Sequence, residues 1–464
     1  MSKNRWSRRE VLRVGWSGAV VPLVLPRSVL GFGGVPGANE TVNVGIIGLG
    51  GRARALVNES RGIPDMRVVA VCDCFQPAVD RFIADLGQDR GWRGYDDFQE
   101  MLDKEKLDAV MVVTTTHARA WVTAHVMQRG IHVYIEKPMC LTVAEGRYLV
   151  NAARRYKVVT QVGTQQRSMP INNWASDLVK NGAIGKVRVV LAPNFVGPLQ
   201  WPGKPERPLP PGGRANWWDV WLNQAQYRPY HPELHHNWAA WWDYDGGGLC
   251  YGVTGWGTHS YDQIQRALGT DDTGPVEILL EEPVKDSPTG RYAEMVEEDE
   301  TRLDYLIRLA KPVVGPRAKM RMWYANGTEL RLHLDGDWGP GLGAIFIGEK
   351  GKIEINRNKI ASNPKEIVNS PENPGPITKP ETQYHIENWI QGIKTGQRCN
   401  ADVEIGHRST TLCLLVNIVR EVGRVGERLR WDPVAERFTN CEEANKSSYM
   451  DRERRKGYEL PPLT

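Results

Sequence analysis

The residues best suited to chemistry begin with a glycine loop. Positions 48–53 read Gly48-Leu49-Gly50-Gly51-Arg52-Ala53, a G-x-G-x-x-A hexapeptide set between an apolar, β-branched run from Thr41 to Ile47 and a helical pattern through Val57. Glycines at this spacing permit a tight turn and let the backbone approach a pyrophosphate, whose charge suits the N-terminus of the helix that follows. A second apolar run, Met66 to Cys72, ends in Asp73. That places a carboxylate about twenty residues past the loop, where it can accept the ribose 2′-hydroxyl and would repel a 2′-phosphate. The cofactor these residues predict is NAD rather than NADP.

Those groups need a scaffold, and the chain supplies one by alternation. Asp97–Leu102 reads as a helix, Leu107–Val113 as a strand, Trp121–Gln128 as a helix and His132–Ile135 as a strand; Leu149–Arg155 is helical and Val158–Val162 is again a strand. A βαβ series of this kind makes a parallel, doubly wound sheet that binds its ligand at the strand C-termini. Thr114, Glu136 and Gln165 fall at such ends. The predicted architecture is α/β, with an N-terminal Rossmann domain over 40–165, a second α+β domain over 166–435 and a tail over 436–464.

In order, GLGGRA, Asp73, the TTTH stretch at 114–117, Glu136-Lys137-Pro138, GTQQR at 163–167, a glycine-rich 246–259 segment ending in His259, and HIENWIQGIKTG at 385–396 resemble the Gfo/Idh/MocA oxidoreductases. The resemblance covers nearly the whole chain after residue 38. It implies a second domain with a large, mostly antiparallel open sheet, whose open face covers the nicotinamide and often forms a dimer or tetramer interface. Period-two alternation in Val187–Val196, Lys319–Trp323, Glu329–Leu334 and Ala344–Ile347 fits strands of that sheet. The resemblance places the cofactor against Gly48, Leu49, Gly50, Gly51, Arg52, Asp73, Thr114, Thr115, His117, Glu136, Lys137 and Gln165. It also implies a cis bond before Pro138, and puts Arg167, Tyr251 and Asp262 on the substrate side.

Two residues are candidates for moving protons. A lysine beside a nicotinamide and a substrate hydroxyl can donate a hydrogen bond to the developing alkoxide or relay its proton, the role the resemblance assigns to Lys137. His259 is its acid/base partner, since imidazole titrates near working pH. The chain departs from the family here: many members carry Asp four residues before that histidine, and this one has Gly255. Another group must orient the imidazole, or its pKa is left free.

Residues 198–245 are the least family-like, with Trp201, Trp217, Trp218, Trp221, Trp238, Trp241 and Trp242 beside Tyr227, Tyr230 and Tyr244. Aromatic faces can line a carbohydrate cleft or staple an insertion to the core. His231, His235 and His236 invite a metal reading at i, i+4, but they stand in no clear helix with a nearby cysteine or carboxylate, and no metal is expected. The tail from Arg452 to Lys456 reads as a solvated helix face or an oligomer arm.

The N-terminus carries Ser7-Arg8-Arg9 ahead of a short, interrupted apolar run to Leu25, the pattern of a twin-arginine export signal over 1–38. Its basic residues account for the formal net charge of +4; the remainder is near −1, which gives no reason to expect a nucleic-acid partner. Seven cysteines, irregularly spaced, do not make a disulfide framework. No later run reaches membrane-spanning length. An exported, folded protein can carry its cofactor out. The sequence thus predicts a periplasmic or otherwise exported NAD-dependent oxidoreductase acting on a hydroxyl of a sugar, polyol or glycoside. Its alternatives are an NAD-dependent, redox-neutral glycoside hydrolase and a non-catalytic sugar-binding protein.

Overall fold

A computed structural model of the chain describes residues 41–248, 252–291, 312–334 and 342–463. The expected export signal over 1–38 and Tyr251 lie outside the described residues.

Six strands form the first sheet: β1 (Val42–Ile47), β2 (Met66–Cys72), β3 (Arg93–Tyr95), β4 (Ala109–Val112), β5 (His132–Ile135) and β6 (Thr160–Val162). Their order is β3-β2-β1-β4-β5-β6, and every pair is parallel. Helices α1 (Gly51–Glu59), α2 (Gln76–Leu86), α3 (Phe98–Lys104), α4 (Thr116–Gln128) and α5 (Val143–Arg155) make the crossovers. All four residues of β4 are buried, which is why this stretch is apolar throughout rather than alternating. The order reverses between β1 and β4, so a ligand crevice opens at their C-terminal ends.

The second sheet is built from β7 (Val187–Pro193), β8 (Pro275–Leu280), β11 (Met320–Tyr324), β12 (Glu329–Leu334), β13 (Ala344–Gly348), β14 (Lys352–Asn356), β15 (Lys359–Asn363), β16 (Arg428–Asp432) and β17 (Arg437–Phe438), while β9 (Lys285–Arg291) and β10 (Pro312–Arg317) pair separately. It is antiparallel except where β7 meets β12. Burial alternates along β11 and β12, with Met320, Met322, Leu330 and Leu332 turned into the core. Helices α6 (Pro170–Lys180), α9 (Trp256–Leu268) and α11 (Val403–Val422) cover that face; α7 (Trp217–Leu222) and α8 (Pro232–His236) lie in the Trp-rich insertion. Among described residues no helix is long and apolar enough to cross a membrane.

The chain does not stay in the second domain after entering it. Helix α10 (Glu381–Thr395) carries Ile386, Trp389 and Ile390 into one face of the first sheet, and Ala401 and Val403 join the core on the other. The HIENWIQGIKTG stretch is therefore a brace for the nucleotide domain. The tail also departs from expectation. Residues 452–456 form no helix; Arg452 is largely buried over the Trp242 ring at 4.0 Å, Arg454 pairs with Glu145, and Arg455 reaches Asp219 at 2.6 Å. Partners on the body of the protein hold it as an intramolecular strap.

Candidate active site

The glycines of the loop do different work. Gly48 has φ +90°, and a Cβ there would stand 2.7 Å from Val113 carbonyl atoms and the Thr114 nitrogen, so β1 can meet β4 only without a side chain. Gly50 has an ordinary φ of −70°, lies exposed, and a Cβ on it would meet nothing within 4 Å. The space over Gly50 is open. Helix α1 starts there with no side-chain cap and no acidic residue in its first turn, leaving its amide groups for an anion. Asp73 accepts from the Leu49 amide at 2.9 Å and the Phe75 amide at 3.0 Å. Burial raises its pKa, and those two bonds pull the other way. A carboxylate keeps further lone pairs for a ribose hydroxyl. Cradle, uncapped helix and carboxylate fit NAD.

On the β5 side, Glu136 organises the crevice. It accepts from Arg52 Nε at 2.5 Å, from the Lys137 amide at 2.7 Å and from Gln165 Nε2 at 3.3 Å; Gln165 also donates to the Tyr134 hydroxyl at 2.9 Å. Burial pushes the Glu136 carboxyl up, but Arg52 and Lys137 outweigh it, and the group sits below the usual range. Gly163 backs this carboxylate, since a Cβ there would lie 2.9 Å from it. Arg52 Nη2 is buried without a hydrogen-bond partner. The Lys137–Pro138 peptide is cis. Lys137 Nζ donates to the Gly255 carbonyl at 3.2 Å, and Gly255 is the residue from which α9 starts.

One turn into α9 stands His259, 5% exposed, its Nδ1 without a hydrogen-bond partner. Burial first, then the charges of Arg357, Lys137 and Arg52, hold its pKa well below the usual imidazole value, so it is neutral at pH 7. No described side chain takes the place of the family's aspartate. Arg357, at the turn between β14 and β15 and paired with Glu381 at 3.1 Å, was not marked by the sequence. It lies nearly a hundred residues from His259, and only strand pairing brings it near. The buried, unpartnered Oγ1 of Thr164, after β6, was equally unmarked.

The other expected residues make contacts within the protein. Arg167 and Asp262 are 2% and 1% exposed at their side chains and bind each other at 2.8 Å, with Asp271 and Ser409 completing the set. They hold α9 to the segment after β6. His117 is buried; its Nε2 meets the Trp221 carbonyl at 2.9 Å, and its ring lies against Trp221 and Tyr244. Thr114 Oγ1 donates to the Thr115 carbonyl at 3.1 Å, and Thr115 precedes α4 without a side-chain cap. In the insertion, Trp217, Trp218 and Trp221 are buried in a cluster with Leu234 and Tyr244 against Phe75, which is stapling; Trp201, Trp238 and Trp241 are half-buried at its margin. His231 Nδ1 accepts from the Glu233 amide at 3.2 Å and His235 packs among aromatic rings. Among described residues no three His, Cys, Asp or Glu side chains gather as a metal site, and the described cysteines are free thiols.

A doubly wound sheet of this order, an open glycine cradle with the Asp73 carboxylate at the end of the next strand, and a second, mixed sheet define a two-domain, nucleotide-binding architecture. The chain belongs to the Gfo/Idh/MocA oxidoreductase family: residues 42–164 match its NAD-binding Rossmann domain, and 171–297 with 308–460 match its C-terminal alpha/beta domain. Its cofactor is NAD. Similar proteins include glycosyl hydrolase family 109 protein 1 of Shewanella sp. (strain MR-4), 27% identical over 175 residues, which are 35% of this chain and 36% of that protein. The alpha-N-acetylgalactosaminidase of Shewanella oneidensis is 26% identical over the same extent. The match thus spans about a third of the length of these curated relatives. Among solved structures, the aldose-aldose oxidoreductase of Caulobacter crescentus shares the fold at TM-score 0.55 and 17% identity, over 84% of this chain and 99% of that one. The WlbA dehydrogenase of Bordetella pertussis, in complex with NADH and UDP-GlcNAcA, does so with the same values.

Proposed function

We propose that this protein is an NAD-dependent oxidoreductase acting on a hydroxyl of a sugar, polyol or glycoside, with a cofactor that stays bound between turnovers. The observation that carries the reading is the buried His259, its Nδ1 unpaired, one turn into the helix whose N-cap carbonyl, Gly255, accepts from Lys137 Nζ at 3.2 Å. NAD, when bound, supplies the hydride acceptor. Neutral His259 takes the hydroxyl proton as the hydride leaves the same carbon, and Lys137 donates a hydrogen bond to the oxygen while negative charge develops on it. Glu136 positions Lys137 through the Lys137 amide and holds Arg52 in the same crevice. The export segment supports cofactor retention, since a chain that leaves the cytoplasm folded meets no pool of free NAD.

The test is single-turnover reduction of bound NAD with a panel of sugars, polyols and glycosides. His259→Asn and Lys137→Met should each slow it by about a hundredfold or more, the usual weight of a positioned proton carrier. Full-rate reduction in either variant would remove that residue from the chemistry.

A second reading is favoured by the curated relatives, several of them glycosyl hydrolase family 109 proteins. The same oxidation, made transient, acidifies the neighbouring C–H; elimination then expels the aglycone, water adds, and the hydride returns to carbon. His259 would take the C–H proton at the elimination step.

A further inference from the structure

The Trp-rich insertion, residues 198–245, is joined to both walls of the crevice at one end. On the Asp73 wall, the Gln76 amide donates to the Gly212 carbonyl at 2.9 Å, Arg214 Nη2 binds Asp97 at 2.6 Å, and the Phe75 ring lies 4.7 Å from that of Trp217. The contact is close. Gly213 has φ +92°, and a Cβ on it would stand 2.7 Å from Gln76 Cβ, so no side chain fits. On the β4 wall, the His117 amide donates to the Tyr244 carbonyl at 3.2 Å, and Gln224 Nε2 donates to the His117 carbonyl at 2.6 Å. Between the two anchorages the insertion is no loose loop: Trp217, Trp218, Trp221 and Tyr244 are buried together as its own core.

These walls are the ends of β2, with its neighbour β3, and of β4. The ribose carboxylate stands at the first, and the second flanks the point where strand order reverses, so the bridged end is the nucleoside end. We infer that residues 198–245 form a clasp that bridges the two walls beside the cofactor's nucleoside and makes NAD slow both to enter and to leave. This rests on the reading of a retained NAD. It assigns the Trp cluster a task other than sugar stacking: a rigid span whose anchors must loosen for the cofactor to exchange.

The test measures exchange rather than turnover. The full chain is loaded with NADH, chased with excess NAD, and the loss of bound-NADH fluorescence gives the release rate; mixing NADH with stripped protein gives the association rate. Arg214→Ala and Gly213→Val alter only the clasp. Arg214→Ala should speed release by about tenfold, the equivalent of one charge-assisted hydrogen bond, Gly213→Val should speed it by forcing the contact with Gln76 apart, and both should also speed association. Tyr227→Ala, at an exposed position of the insertion, serves as control and should change neither rate. Release unchanged in both variants, or faster release with unchanged or slower association, would overturn the clasp, because a damaged binding site lowers affinity without opening a barrier. Wild-type exchange complete within seconds would also overturn it. A wild-type chain that binds no NADH at all would instead defeat the reading beneath it.

Discussion

The two loop glycines make opposite predictions, and both follow from where a Cβ would go. At Gly50 a side chain meets nothing, and the backbone already has a φ that any residue adopts. Gly50→Val should therefore cost the cofactor-free fold no more than about 1 kcal/mol, for a poorer helix N-cap. The new side chain fills the space through which a pyrophosphate must approach the uncapped end of α1. Losing two amide bonds to a charged phosphate, at about 1.5–3 kcal/mol each, weakens NAD by at least a hundredfold. Gly48→Ala should do the reverse. Its methyl meets main-chain atoms at 2.7 Å in a left-handed conformation, which costs the fold about 3 kcal/mol whether or not NAD is present. Thermal unfolding of stripped protein, paired with titration by NADH, reads both quantities. A Gly50→Val protein that binds NADH as the wild type does would refute the assignment of that space to the cofactor.

The depressed pKa of His259 predicts that the hydride step keeps its rate as pH falls through 6.5, because the neutral imidazole is the working form and protonation comes only well below that value; an acid limb of kcat/KM centred at or above 6.5 would contradict this. Burial lowers the pKa of His117 to about 3. A depressed pKa stabilises the fold above the unfolded value, so as pH drops from about 6.5 toward 3 this group alone removes about 1.4 kcal/mol of stability per unit, and His117→Gln should flatten the loss in acid denaturation. Asp73→Ser should narrow the preference for NAD over NADP in paired titrations, and an unchanged preference would mean that another residue reads the ribose. Replacing Arg8 and Arg9 with Lys should leave the folded protein in the cytoplasm, whereas normal export would dismiss the twin-arginine reading.

The nucleotide domain was legible because its signals are local. Apolar runs buried on both faces, the glycine hexapeptide and Asp73 sit within about thirty residues of one another, and the elements that were marked stand in place, with α4 and α5 beginning five and six residues earlier than expected; α2 and β3 carried no clear pattern and passed unmarked. In the second sheet β7, β11, β12 and β13 showed their alternation, whereas β8 and β14 to β17 passed unmarked, although burial alternates along β14 and β16 as well; β15 and β17 are the edges. Long-range pairing was not legible. Arg167 and Asp262 are polar residues near a site in sequence, but nothing local says that their charges are spent on each other. His117 matches a family position, yet an insertion more than a hundred residues away takes up its ring. Arg357 reaches the neighbourhood of His259 only through a hairpin whose register depends on the whole sheet. The tail looked solvated because its arginines are many; their partners, Trp242, Glu145 and Asp219, belong to three separate segments.

The central claim is net oxidation of a carbohydrate hydroxyl, and the mass of the product tests it most directly. The purified protein, with its NAD, is incubated with a panel of small sugars, polyols and glycosides in deuterated water, and the products are weighed by mass spectrometry. The account predicts an intact substrate skeleton lacking two hydrogens, with the cofactor left reduced until an acceptor is supplied. Release of the aglycone, with solvent deuterium at carbon and the cofactor back in its oxidised form, would contradict it and establish the redox-neutral hydrolase instead.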